Sequence, residues 1–123
     1  MLANIEPSHN DFLALASYLV NGRDRPTHPD RVAWVLGHNL STDDPVRAAV
    51  LMAAFAERSK RCRNACYHLS INWHPDETPT PEIMQEIARK TLALAGLGEH
   101  QALVMGHGDK PHRHLHMMIN RVH

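Results

Sequence analysis

Apolar residues recur along this chain at two different spacings, which predict three helices and four strands. In three segments they repeat every three to four residues, as one face of an α-helix requires. In four shorter segments they alternate with polar residues or form a continuous apolar run, as β-strands do. The four predicted strands occupy residues 32–37, 66–74, 101–107 and 112–122.

Short polar side chains mark the predicted start of each helix. Ser8, Asp44 and Thr80 are the predicted N-caps, since their side-chain oxygens can accept a backbone N–H of the first turn. Proline follows Asp44 and Thr80, at a helix position where its missing N–H is not needed. The last apolar positions of the three helices are Leu19, Ala56 and Leu94. Residues 23–30, RDRPTHPD, are polar and contain two prolines, which predicts a loop.

The order of these elements predicts the fold class. Helix, strand, helix, strand and helix are followed by two strands joined by a short turn. This order favours an α+β domain with a mostly antiparallel central sheet, and we expect the helices to pack on one face of that sheet. A chain of 123 residues is long enough for one domain with its own core.

Composition excludes several classes of protein. An apolar share of 43% argues against disorder, and no apolar run reaches the length of about 18 residues that a membrane span needs. The first residues lack the pattern of a signal peptide, so we expect a cytoplasmic protein with no membrane partner. Basic and acidic residues balance at 13 each, so net charge does not indicate nucleic acid. Cys62 and Cys66 are predicted to be structural or free thiols.

Histidine is the unusual component, with 11 in the chain and five in the last 17 residues. Side chains alternate between the two faces of a strand, which divides the last predicted strand into two sets. One face carries His112, His114, His116, Met118 and Asn120, and the other carries Leu115, Met117 and Ile119. His107 ends the preceding strand, and the short turn through residues 108–111 folds it back beside these histidines.

This arrangement predicts a metal site. His107 and the histidines on this face of the last strand can supply three convergent imidazoles with no fourth protein ligand, which leaves coordination positions open as in catalytic sites. Asp109 lies between the two strands and can orient one imidazole through its ring N–H or hold a water. The alternative is a polar sheet face in contact with solvent. A purification tag is disfavoured, because other side chains alternate with the histidines in a strand pattern.

The same residues match a known motif. The third motif of the conjugative relaxases, the mobilisation endonucleases of the VirD2 and MobA type, resembles His107-x-Asp109-x4-His114-x-His116-x3-Asn120-Arg121-Val122. These proteins belong to the wider HUH endonuclease group, whose histidine-hydrophobe-histidine signature is similar to residues 114–116. Residues 67–77, YHLSINWHPDE, resemble the second motif, and the helix that carries Tyr18 resembles the first. The resemblance spans residues 8–122.

The resemblance implies a reaction. Relaxases cut one DNA strand at a transfer origin by tyrosine attack on a phosphodiester, which leaves a covalent 5′-phosphotyrosyl link and a free 3′ hydroxyl. Tyr67 alternates with apolar residues and is predicted to lie in the core, so Tyr18 is expected to be the nucleophile. Asp109 would tune the metal site or help to deprotonate Tyr18. Ser70, Asn120 and His112 would contact DNA, with a spare role beside the metal ligands as the alternative for His112.

The resemblance also implies a cofactor and partners. Relaxases use a divalent metal ion, Mg²⁺ or Mn²⁺, and the motif implies that His107, His114 and His116 hold it. Three imidazoles suit Mn²⁺, Zn²⁺, Ni²⁺ or Co²⁺ better than Mg²⁺. The implied partners are single-stranded DNA at a transfer origin and the accessory proteins of a relaxosome. The implied role is plasmid mobilisation in conjugation.

The third motif lies at the end of the chain, whereas relaxase domains of this kind continue with further strands. We therefore expect residues 1–123 to form a single relaxase-like domain that is incomplete at its C-terminus. Two alternatives stay open. One is a metal-binding DNA-binding or interaction module without nicking activity, paired as a homodimer through an open sheet edge. The other is a small metallo-hydrolase of an unrelated type.

Overall fold

A computed structural model describes residues 1–22 and 31–123, and the loop predicted at residues 23–30 lies outside this range. The described residues form five strands and three helices. The strands are β1 (Leu2–His9), β2 (Val32–His38), β3 (Cys66–Asn72), β4 (Ala102–His107) and β5 (His114–Asn120). The helices are α1 (Phe12–Asn21), α2 (Pro45–Ala56) and α3 (Pro81–Leu94). Among these helices, none has the length and apolar character needed to cross a membrane.

The five strands form one antiparallel sheet in the order β1-β3-β5-β4-β2. β5 therefore lies at the centre, between β3 and β4. In the register, His114 pairs with His107 on β4, and His116 pairs with Ser70 on β3. The predicted α+β class with an antiparallel sheet is confirmed.

The helices lie on both faces of this sheet, which corrects the prediction of a single covered face. α3 packs against the face that carries Met117 and Ile119, whereas α1 and α2 pack against the face that carries Met105 and Met118. Met118 shares its face with His116, because the two are separated by one residue on the same strand. The histidine face is thus apolar at one end of β5, where the helices cover it, and rich in histidine at the other.

β1 is missing from the elements predicted from the sequence. Residues 2–9 lack a regular alternation of apolar side chains, and most of them are exposed. The strand forms by antiparallel pairing with β3 at the sheet edge, and its register shifts between Glu6 and His9. Pro7 lies in that irregular part, where a residue without an N–H does not break the ladder. Tertiary pairing, not local pattern, therefore determines this element.

The helix caps agree with the prediction at two of three positions. Asp44 and Thr80 cap α2 and α3, each followed by proline. α1, however, begins after Asp11, whose carboxylate accepts a hydrogen bond of 2.8 Å from the backbone N–H of Ala14. The prediction of Ser8 as the first N-cap is wrong, because that residue belongs to β1.

Both cysteines are free thiols, as predicted. Cys66 begins β3 and is buried in the core beneath α1 and α2. Burial, with a smaller contribution from the charge of Asp11, raises the pKa of Cys66 to about 12. This thiol is therefore protonated at neutral pH and acts as an apolar core residue.

Gly106 lets the Trp34 indole lie directly against the backbone of β4, one residue before His107. A Cβ atom at position 106 would overlap the indole ring. We expect Gly106→Ala to lower the free energy of unfolding by about 1–3 kcal/mol, as overpacking does, and denaturant unfolding measures this. Gly98→Ala is the control, because its Cβ would meet Ala93 at 3.6 Å, an ordinary contact. Equal losses in the two variants would contradict the prediction.

Candidate functional site

Three histidines lie close together where β4 ends and β5 begins. His107 and His114 are opposite each other in the register, and His116 lies two residues further along β5. The ring centroid of His107 lies 5.1 Å from that of His114 and 4.7 Å from that of His116. The centroids of His114 and His116 are 5.4 Å apart. One nitrogen from each ring lies within 4.8 Å of the other two. The structure thus brings together the three imidazoles that the sequence groups as a metal site.

Burial keeps these imidazoles neutral near neutral pH. Burial, followed by the charges of Arg31 and His114, lowers the pKa of His107 to about 4. Burial, followed by the charge of His107, lowers the pKa of His116 to about 2. The pKa of His114 is also lowered, again mainly by burial. A neutral imidazole presents a free nitrogen lone pair, which is the form that binds a metal ion.

Unpartnered polar atoms fit a cation at this triad. Both ring nitrogens of His107 and Oδ1 of Asp109 are buried without a hydrogen-bond partner among the described residues. Leaving such atoms unpaired costs free energy, which binding of an ion would offset. Three neutral nitrogens also leave coordination positions open for an oxygen of a substrate. The residues present therefore suit a bound divalent metal ion.

His68 on β3 contacts the triad from its outer side. Its Nε2 lies 2.8 Å from Nδ1 of His116, so one nitrogen donates a hydrogen bond to the other. This contact leaves Nε2 of His116 as the nitrogen free to bind a metal ion, and it holds the ring in place. Sequence alternation places His68 on the polar face of its strand. Its contact with His116 depends on the register of β3 against β5, which the sequence does not reveal.

Loss of the His68 side chain is expected to weaken metal binding. Removing an outer partner of a ligand costs about 10- to 100-fold in metal affinity, and we expect this for His68→Phe. His68→Gln should recover part of the loss, because its amide can still form a hydrogen bond with Nδ1 of His116. Calorimetric titration with Mn²⁺ measures the affinity, with the exposed His74→Phe as control. Unchanged affinity in His68→Phe would rule out this role.

Asp109 lies in the turn between β4 and β5 and faces two partners. Its Oδ1 is 3.9 Å from Nε2 of His114, and its Oδ2 accepts a hydrogen bond of 2.8 Å from Nη1 of Arg31. Burial raises the pKa of Asp109, but the hydrogen bond and the charge of Arg31 outweigh it and hold the pKa below its usual value. Asp109 is therefore ionised at neutral pH. The lowered pKa also makes Asp109 a weak base, so it suits orientation of His114 better than removal of a proton from Tyr18.

Tyr18 lies near the C-terminal end of α1, on the same side of the sheet as the histidines. Its side chain is 40% exposed, whereas the neighbouring Leu19 is buried. The Leu19 carbonyl lies close enough to His107 to favour the charged form of that ring, although no hydrogen bond of good geometry joins them. The guanidinium carbon of Arg31 is 5.7 Å from the centroid of the Tyr18 ring. The helix end that carries the predicted nucleophile therefore borders the triad.

Two of the predicted DNA contacts lie beside the triad. Ser70 is opposite His116 in the register, on the same face of the sheet, and is 6% exposed. His112 is half-buried just before β5, and its ring centroid is 5.2 Å from that of His114. Both residues are thus neighbours of the triad, although Ser70 itself is buried.

Asn120, the third predicted DNA contact, lies at the other end of β5. It is fully buried, and its amide donates hydrogen bonds of 3.0 Å to the carbonyl of Met52 and to Oε1 of Gln101. Its Oδ1 accepts a hydrogen bond from the backbone N–H of Val122. Every polar atom of this side chain therefore has a protein partner. This placement favours a structural role for Asn120, which ties β5 to α2.

The relatives of this chain among known proteins include a MobA, a TraI and an LtrB protein. MobA of Acidithiobacillus ferrooxidans is 33% identical over 72 residues, which make up 58% of this chain and 18% of that protein. A TraI protein of Escherichia coli is 25% identical over 115 residues, 93% of this chain and 15% of TraI. The group II intron-interrupted relaxase LtrB of Lactococcus lactis subsp. cremoris is 35% identical over 54 residues, 44% of this chain and 10% of LtrB. The chain thus spans less than a fifth of each relative.

A family model covers more of the chain than the MobA or LtrB match. The model of relaxases, described as a MobA/VirD2-like nuclease domain, matches residues 18–123. This range begins at Tyr18 and contains the three histidines of the triad, Asp109, His68 and Arg31. With most of its length matched, the chain belongs to the MobA/VirD2-like relaxase nuclease family.

Proposed function

We propose that this chain carries the nicking centre of a relaxase, which cuts one DNA strand at a transfer origin and stays linked to the 5′ phosphate through Tyr18. The observation that carries the proposal is the position of Tyr18. Its helix end borders a triad of neutral histidines, two of them buried and His116 partly buried, whose His107 nitrogens have no partner among the described residues. Nucleophile and cation site are thus neighbours, as phosphoryl transfer requires.

His107, His114 and His116 would hold the divalent ion, with Mg²⁺ or Mn²⁺ expected from the family and Zn²⁺, Ni²⁺ or Co²⁺ compatible with the nitrogen ligands. When bound, the ion would supply positive charge next to the scissile phosphate and neutralise the charge that develops on its oxygens. Asp109 orients His114 from the turn between β4 and β5. His68 orients His116 from β3.

Tyr18 attacks the phosphorus through its phenol oxygen. A bond forms between Oη and phosphorus, the bond from phosphorus to the 3′ oxygen breaks, and the phenol proton passes to solvent, to which Tyr18 is exposed. The leaving 3′ oxygen takes up a proton from water. One phosphodiester is exchanged for another, so the 3′ hydroxyl can attack in reverse and rejoin the strand. This reversibility suits a tyrosine nucleophile better than an activated water.

Ser70 and His112 would contact the DNA strand next to the scissile bond, since both lie beside the triad. Lys110 and Arg113 are exposed in the connection between β4 and β5 and add positive charge at the same place. Contacts of this kind bind phosphates and orient the strand without reading its sequence.

The proposal extends to the cellular role. The family match and the relaxase name of LtrB support a part in plasmid mobilisation and conjugation. The substrate would be single-stranded DNA at a transfer origin, the partners accessory relaxosome proteins, and the location the cytoplasm. The non-nicking module and the unrelated metallo-hydrolase remain the alternatives that the experiment must separate.

The test is formation of a covalent adduct with a randomised pool of single-stranded oligonucleotides in the presence of Mn²⁺. A strand cut with retention of the 5′ phosphate leaves its 3′ portion on the protein. Oligonucleotides labelled at the 3′ end should therefore give a labelled protein band that survives denaturation, and those labelled at the 5′ end should not. Absence of both adduct and cleavage would favour the non-nicking module. Cleavage without an adduct would favour the metallo-hydrolase.

A further inference from the structure

One side chain, Arg31, joins three separate parts of the chain at the edge of the triad. Its Nε donates a hydrogen bond of 3.1 Å to the carbonyl of Leu19, and its Nη2 donates one of 3.0 Å to the carbonyl of Tyr18. Its Nη1 donates to Asp109, in the turn between β4 and β5, at 2.8 Å. Arg31 itself immediately precedes β2. One guanidinium thus connects the end of α1, the start of β2 and the turn that follows His107.

The surroundings of Arg31 are built to admit it. Gly22 follows α1 with a φ of 73°, and a Cβ atom there would lie 3.2 Å from the guanidinium carbon of Arg31. Only glycine combines this backbone conformation with the space for the guanidinium. The backbone also takes part, because the N–H of Gly108 donates a hydrogen bond of 3.1 Å to the carbonyl of Arg31. The turn that carries Asp109 is therefore held by both the backbone and the side chain of Arg31.

The charges favour the same arrangement. The last carbonyls of a helix have no partner within the helix and form its negative end, where a cation is stabilising. Arg31 supplies that cation to α1 and also pairs with the carboxylate of Asp109. The two side chains are only 14% and 12% exposed, so solvent screens their attraction weakly. A planar guanidinium can serve three acceptors in different directions, which a lysine ammonium on a flexible stem does less well.

We propose that Arg31 is a positioning residue that sets the distance between the Tyr18 phenol and the histidine triad. The inference rests on the proposed function, because it takes Tyr18 as the nucleophile. Arg31 holds the backbone of Tyr18 and Leu19 on one side and Asp109, the neighbour of His114, on the other. Without it, α1 keeps its buried core face, but the end that carries Tyr18 is no longer tied to the turn beside the triad.

The first test measures the rate of adduct formation at saturating oligonucleotide. Arg31→Gln keeps a polar side chain but removes the charge and the fork of donors. We expect its rate to fall about 10- to 100-fold, since small misplacements of reacting groups have effects of this size. Oligonucleotide and Mn²⁺ affinities should stay within about threefold of wild type, because no ligand is removed. Arg31→Lys keeps the charge, so its adduct rate should lie between the rates of wild type and Arg31→Gln.

A second measurement reports on Tyr18 without metal or DNA. The chain has two tyrosines, Tyr18 and Tyr67, so protein labelled with 3-fluorotyrosine gives one fluorine NMR signal for each. Arg31→Gln should shift or broaden the Tyr18 signal and leave that of Tyr67 unchanged, because Tyr67 is partly buried against the core on the α3 side. Tyr18→Phe and Tyr67→Phe assign the signals. This readout also shows that the variant is folded.

Arg121→Gln is the matched control. Arg121 also donates hydrogen bonds from its guanidinium to two carbonyls, those of Arg63 and Asn64, but beyond the far end of β5. Its replacement should change neither fluorine signal nor the adduct rate.

An Arg31→Gln variant with an unchanged Tyr18 signal and an unchanged adduct rate would overturn the positioning role. A loss of Mn²⁺ affinity equal to the loss of rate would also overturn it, because Arg31 would then act through the metal ligands. Survival of the adduct in Tyr18→Phe would instead refute the nucleophile assignment. The two failures are thus distinguishable.

Discussion

Tyr18→Phe is expected to abolish the covalent protein–DNA adduct while leaving Mn²⁺ binding unchanged. The substitution removes a single oxygen atom, the one proposed to form the bond to phosphorus, and a phenylalanine ring cannot replace it. We expect the rate of adduct formation to fall by at least about a thousandfold, as removal of a nucleophile does in other enzymes. The adduct assay with oligonucleotides labelled at the 3′ end measures this rate.

The structure indicates why this effect can be separated from misfolding. Tyr18 is 40% exposed, and the buried face of α1 is formed by Phe12, Leu15, Ala16 and Leu19. Loss of the hydroxyl therefore leaves the core of α1 intact. Tyr67→Phe is the matched control, since it removes the same atom from the other tyrosine of the chain. An adduct that persists in Tyr18→Phe but disappears in Tyr67→Phe would reverse the assignment.

His114→Ala is expected to have the second largest effect, on metal affinity. The triad offers three nitrogens, and removal of one leaves two ligands for the ion. We expect Mn²⁺ affinity to fall by more than about 100-fold, beyond the cost of losing an outer partner such as His68. Adduct formation should fall with it at any fixed, subsaturating metal concentration.

Calorimetric titration with Mn²⁺ measures this change, and thermal unfolding with and without the ion provides a second readout. An ion that binds only the folded protein raises its melting temperature, so this shift should be present in wild type and small in His114→Ala. His74→Ala is the control, since the side chain of His74 is 67% exposed and lies outside the triad. Equal affinities of His114→Ala and His74→Ala would exclude the triad as the metal site.

Local patterns predict much of this fold. Asp44 and Thr80 cap their helices because a short polar side chain followed by proline favours a helix start regardless of distant contacts. β1 cannot be predicted in this way, because an edge strand with few apolar residues forms by backbone pairing with its neighbour β3. Local patterns also do not reveal that helices cover one end of the histidine face. Met118 shares that face with His116, and the apolar half it belongs to packs beneath α1 and α2.

In the candidate site, too, some contacts can be predicted from the sequence and others depend on the tertiary structure. Alternation along β5 groups His114 with His116 but also with His112, and a tight turn adds His107. The resemblance to the relaxase motif then singles out His107, His114 and His116. The contact of His68 with His116 joins residues 48 positions apart, and that of Arg31 with Asp109 joins residues 78 positions apart. Both depend on strand register and on where α1 ends. Asn120 has the predicted face, but its distance along the strand places it in the core.

The central claim is that the phenol oxygen of Tyr18 forms the covalent bond to DNA. Identification of the linked residue tests it most directly. The adduct formed with single-stranded DNA and Mn²⁺ is digested with protease and nuclease, and the modified peptide is sequenced by mass spectrometry. We predict a nucleotide attached through its 5′ phosphate to the peptide that contains Tyr18. Attachment to Tyr67, or to any residue other than Tyr18, would contradict the account.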